Sequence, residues 1–140
     1  MAHWLFKSEP EAWSWDQMVA AGPAGTSWNG VRNYTAKLHM MAMQLGDQAF
    51  FYHSNAGKEI VGIVEVCGLY YPDPTDATGK FGMVDLRALR ALKTPVTLAA
   101  VKADPRLTKM SLVASFRLSV QPATDAEWTM VCIMGGVAET

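Results

Sequence analysis

Apolar and polar positions divide this chain into short patterned segments separated by turn residues. His3-Trp4-Leu5-Phe6-Lys7 alternates and is aromatic, which predicts a strand ended by Ser8-Glu9-Pro10. Ser14 followed by Gln17 is a capping-box pattern opening a short helix to about residue 21, and Gly22-Pro23 stops it. Residues 34–43 are rich in helix formers, with Leu38, Met41 and Met43 offered to a core, and Gly46-Asp47 ends that helix. Residues 48–53 predict a second strand. Residues 60–67 predict a third, a near-continuous Ile/Val run of the kind buried on both faces, which Tyr70-Tyr71 extends. An irregular loop occupies residues 72–79. Residues 83–92 alternate loosely, with Ala88 at a bulge that shifts the register. Thr97, two residues after Pro95, is an N-cap for a short helix to about residue 103, broken by Asp104-Pro105. Residues 117–121 predict the last strand. Thr124 with Glu127 caps a C-terminal helix that closes at Gly135-Gly136. Five or so strands interrupted by short helices predict an α+β domain, a curled or closed mixed sheet with helices packed on its outside.

The chain has 140 residues, half of them hydrophobic and 18% charged, which predicts one globular domain with a full core. No apolar run reaches bilayer length, and Met1-Ala2-His3-Trp4 lacks the pattern of a signal peptide. Cys67 and Cys132 lie far apart in apolar surroundings and read as free thiols of a reducing compartment, the cytoplasm by default, with the nucleus compatible. A formal net charge of −1 argues against coating nucleic acid by charge alone, though not against a pocket with a few local cations. Lys7, Arg32, Lys37 and Lys58 lie in or beside polar segments of the first half.

The segment with most chemistry is Trp28-Asn29-Gly30-Val31-Arg32-Asn33-Tyr34. It gathers an indole, a phenol, a guanidinium and carboxamides around one glycine, off any periodic apolar face. Such groups stack on a flat ring, bond its edge and neutralise a phosphate. Three further polar-aromatic clusters fall at strand ends: Lys7-Ser8-Glu9-Pro10, Phe51-Tyr52-His53-Ser54-Asn55 and Ser119-Val120-Gln121-Pro122. A curled sheet can bring them to one rim. Catalysis has less support. There is no Gly-x-Ser-x-Gly elbow and no phosphate loop, Ser54 and His53 are neighbours on a strand facing opposite ways, and no His/Cys spacing fits a metal. Glu9 and Glu11 flank Pro10 and read as a solvated turn rather than an acid pair. No cofactor is expected.

At these clusters the chain resembles the EVE domain of the PUA-like superfamily. The resemblance runs in order through His3-Trp4-Leu5-Phe6-Lys7-Ser8-Glu9-Pro10, Trp28 to Tyr34, Gly46-Asp47, residues 50–54 and 60–66, Tyr71-Pro72-Asp73-Pro74-Thr75, Met83-Val84-Asp85-Leu86, Pro95-Val96-Thr97-Leu98 and residues 118–122. It implies a pseudo-barrel of about five to six mixed strands. It also implies a non-enzymatic pocket for a modified base, such as methylated or hydroxymethylated cytosine, in DNA or RNA. On these motifs the implied ligand-binding residues are Ser8, Glu9, Trp28, Arg32, Asn33, Tyr34, Tyr52, His53, Ser54, Ser119 and Gln121. Lys7, Arg32 and Lys37 are the expected phosphate contacts. Two features depart from the family. Phe81-Gly82 stands where a tryptophan is usual, and the loop after Pro74 is short and sparsely charged.

The reading is a module that takes one flipped or unpaired modified base beside Trp28. Its main rival is a nucleoside or small-molecule sensor using the same pocket with no polymer. A hydrolase with Glu9 or His53 as base is a second rival, and an interaction module with Trp13 and Trp15 as exposed anchors is a third.

Overall fold

The computed structural model describes residues 2–115 and 117–137. Among these, six strands form one sheet: β1 (His3–Ser8), β2 (Thr26–Ser27), β3 (Gln48–His53), β4 (Glu59–Pro72), β5 (Gly82–Thr97) and β6 (Val120–Ala123). Five helices surround it: α1 (Trp15–Ala20), α2 (Tyr34–Ala42), α3 (Leu98–Ala103), α4 (Ser111–Ala114) and α5 (Asp125–Gly135). The sheet order is β2-β5-β4-β3-β1-β6. Only β1 and β3 run parallel; the other neighbours are antiparallel. The fold is α+β with a mixed sheet, as the sequence predicts, but β2 and β6 are unjoined edges, so the sheet is not closed into a barrel.

Alternation along the central strands buries both faces. Trp4, Phe6, Phe51, Val64 and Val84 enter a first core with Met18 of α1 and Ala36 and Met40 of α2. Leu5, Phe50, Tyr52, Ile60 and Ile63 enter a second core with Val101 of α3, Leu112 of α4 and Trp128 and Val131 of α5. A sheet covered on both sides is why the Ile/Val run of β4 is so little interrupted.

The local start signals operate as read. Ser14 and Thr124 each make a complete capping box, and Thr97 accepts from the Ala100 N–H. Other details differ. β5 continues through Pro95, because residues 92–95 bulge out of the ladder with β4 and need no N–H there. The shift expected at Ala88 falls one residue on, at Leu89, since Val64 pairs Ala88 and Ile63 pairs Arg90. The last strand starts later than expected, at Val120. On α2, Leu38 and Met41 face solvent while Ala36 and Met40 are buried, as is Met43 just past its end. Trp13 and Trp15 are not exposed anchors. Both pack against the first core, and Trp15 lies across Gly62 of β4.

Candidate functional site

β1 ends at Ser8, and the segment joining β2 to α2 runs beside that end. With Ser119 they border an open cavity of about 610 Å³. The β2–α2 segment is fixed at two points in the fold. The Trp28 N–H donates to the Val84 carbonyl at 2.8 Å, and Val31 is buried in the first core. The Trp28 ring meets Phe6 at 5.6 Å and Phe51 at 5.8 Å, nearly perpendicular to each. The indole is thus held from the core side while it borders the cavity.

Lys7, Ser8, Glu9, Trp28, Arg32 and Ser119 all line this cavity. The Ser8 hydroxyl donates to the Trp13 carbonyl, and the Ala12 and Trp13 N–H groups donate to the Glu9 carbonyl at 2.9 Å, folding the turn after β1 into a wall. Partial burial pushes the Lys7 ammonium below its ordinary range. The Lys7 N–H donates to the Ser119 carbonyl at 2.9 Å, which fixes the β6 side of the opening.

The other expected residues stand elsewhere. Asn33 caps α2, its side-chain oxygen accepting from the Ala36 N–H at 2.9 Å. Tyr34 packs on Phe81 outside the cavity, with centroids 4.9 Å apart, and Lys37 donates from Nζ to the Lys80 carbonyl. Tyr52 is buried in the second core, where burial raises its phenol above the ordinary range. His53 Nε2 accepts the Trp15 N–H at 3.0 Å. The Ser54 N–H donates to the Ser8 carbonyl at 2.9 Å, and Ser54 does not line the cavity. The Gln121 amide is fully buried and donates to the Ser115 and Leu118 carbonyls.

Asp73 was not singled out from sequence, yet it organises one wall. It is 2% exposed and accepts from the Gly30 N–H at 2.8 Å, Arg32 Nη1 at 3.0 Å, and the Thr75 N–H and hydroxyl. Burial opposes its charge, but the bonds from Thr75, Gly30 and Arg32 outweigh that and hold the carboxyl well below the usual carboxylate range. Arg32 Nη2 also donates to the Thr75 hydroxyl at 2.9 Å. The Arg32 guanidinium therefore joins two loops as well as edging the cavity. The available signal was Asp73-x-Thr75, an aspartate able to bond the backbone two residues on. Trp13, Thr26, Ser27 and Asn29 also line the cavity and were likewise not singled out as pocket residues.

Among the described residues no cluster of three or more His, Cys, Asp or Glu is arranged to hold a metal. No helix among them is long and apolar enough to cross a membrane. Cys67 and Cys132 are free thiols, Cys132 buried and Cys67 partly so.

Known proteins resemble this chain in sequence and fold. Thymocyte nuclear protein 1 of Gallus gallus is 38% identical over 92% of this chain. The chain spans about two thirds of the length of such curated relatives, 66% for the chicken protein. A protein of Rhodopseudomonas palustris solved by NMR is 65% identical, with a TM-score of 0.92 over 97% of this chain and 94% of its own. The human thymocyte nuclear protein, in a crystal structure with DNA containing 5-methylcytosine, is 33% identical, with a TM-score of 0.90 over 99% of both chains. The family pattern described as the EVE domain matches residues 2–134. This chain belongs to the EVE domain family.

Proposed function

We propose that this chain binds, without catalysis, one modified nucleobase of the methylated or hydroxymethylated cytosine class, presented by DNA or RNA. The observation that carries this reading is the cavity bordered by Trp28, its indole fixed from behind by two core rings. Around it stand the Ser8 and Ser119 hydroxyls, the Glu9 carboxylate, and two cations, Lys7 and Arg32. A base stacks on the indole, its edge meets the hydroxyls and carboxylate, and the cations lie toward its phosphate. The DNA complex of the related human protein supports the ligand class. The free thiols fit a reducing compartment, for which we propose the cytoplasm.

A buried methyl contributes about 0.8 kcal/mol, so shape and edge bonding must supply most of the discrimination. The test is a titration with oligonucleotides that differ in one modified base, for the wild-type protein and Trp28→Ala. The modified strand should bind more tightly, and the variant should lose about tenfold or more, in line with one stacking contact. Equal affinity for every base, or no loss in the variant, would count against the pocket.

The near-neutral net charge favours a second reading, a sensor of free nucleosides. Salt separates the two. A polymer held by about two phosphate contacts should give a log–log slope near −1.5, whereas a free nucleoside should give almost none.

A further inference from the structure

Next to Arg32, and outside the cavity lining, stands a pair of aromatic rings, one exposed and one half-buried. Tyr34 opens α2 and is 59% exposed, so its ring adds little to the core. Its centroid lies 4.9 Å from that of Phe81, the planes tilted by 39°. Lys37 Nζ stands 5.9 Å from each of these rings, and Arg32 Cζ stands 5.8 Å from Phe81. The pair is fixed from both sides. Lys37 Nζ donates to the Lys80 carbonyl, tying α2 to the loop that carries Phe81, and the Phe81 N–H donates to Asp76 at 2.8 Å.

We propose that Tyr34 and Phe81 form a stacking shelf for the nucleobase adjoining the one in the cavity. Lys37 and Arg32 flank the phosphate between the two bases. This assignment rests on the reading of the cavity as a base pocket. Arg32 borders the cavity and stands 5.8 Å from the Phe81 ring, so the two places adjoin through one side chain that a phosphate joining the two bases can meet. Every base has a π face, so the shelf adds affinity without reading sequence. The carboxylates nearby are Asp73 and Asp76. Asp73 already accepts from Gly30, Arg32 and Thr75, and Asp76 from Thr78, Lys80 and Phe81. An ammonium has three N–H groups, so the bond to Lys80 leaves Lys37 donors for a phosphate oxygen.

The experiment compares three probes: 5-methyl-dCMP, a short single DNA strand with one central 5-methylcytosine, and that strand with abasic sites on both sides of the modified base. The wild-type protein should bind the intact strand about tenfold more tightly than the abasic one. Tyr34→Ala and Phe81→Leu should lower intact-strand affinity to the abasic level, lose nothing further on the abasic strand, and bind the mononucleotide within about twofold of wild type. The abasic arm uses wild-type protein and so needs no variant to fold. The shelf is overturned if flanking abasic sites leave affinity unchanged, or if the variants weaken the mononucleotide as much as the strand. It is also overturned if they change oligomeric state rather than affinity, as they would if Tyr34 joined Leu38, Met41 and Leu45 in a protein contact. The two readings fail differently. Trp28→Ala binding every probe like wild type defeats the cavity reading. Trp28→Ala losing every probe while the shelf variants lose none defeats the shelf alone.

Discussion

A methyl group has no room at Gly62. An added Cβ would come within 2.4 Å of Trp15 Cη2, so Gly62→Ala must displace the indole that covers β4. Overpacking of this kind costs about 1–3 kcal/mol, to be read as a lower denaturation midpoint with an unchanged slope. The backbone of the same tryptophan bonds a histidine whose burial gives the fold a pH response. Trp15 N–H donates to His53 Nε2, and burial holds His53 below the ordinary histidine range against the opposing pull of Glu59 and Asp16. Burial holds His39 low as well. Both are neutral in the fold where the unfolded chain, with its histidines near about 6.5, already binds protons. Stability should therefore fall as pH drops from about 6.5 toward the lower folded values, and level off beneath them. His53→Gln keeps an acceptor that does not titrate, so thermal unfolding across this range should show a smaller slope, with His39 supplying the remainder. An unchanged slope would remove His53 from the account.

At the scale of elements, Asp73 latches the segment carrying Trp28 to the β4–β5 loop. Asp73→Ala deletes the bonds to Gly30, Arg32 and Thr75 together. Because Arg32 is partly exposed and water replaces some of its bonding, the expected loss is about 2–3 kcal/mol. Affinity for the modified strand should drop too, although Asp73 does not line the cavity. The Asp73 contribution is present above the unfolded carboxylate range and is lost as pH falls through its lower folded value, so it stays constant in the histidine window. The helix starts were legible because a capping box is local: Ser14 with Gln17 and Thr124 with Glu127 need no distant partner. β2 was not legible, since two residues carry no period. The buried side of α2 was misread for another reason. Apolar residues lie around most of that helix, and only packing on the sheet decides that Met40 is inside and Met41 outside.

Over the whole molecule, a two-faced core leaves the strand ends to build the site. The sequence clusters at residues 7–9 and 28–32 and at Ser119 converge on one cavity, as their polar-aromatic composition at segment ends indicated. The β3 cluster does not join them. Its alternation sends Phe51 to the first core and Tyr52 to the second, while His53 turns to Trp15. The role of Asp73 was hidden because its partners at Gly30 and Arg32 are more than forty positions away in sequence. The central claim, that a modified base rests against Trp28, is tested most directly by NMR of the complex with a strand bearing one 5-methylcytosine. The base methyl protons should show intermolecular contacts to the Trp28 indole and a ring-current shift, both absent in Trp28→Ala. Contacts from that methyl to any other surface, with the Trp28 signals unmoved on saturation, would contradict the account.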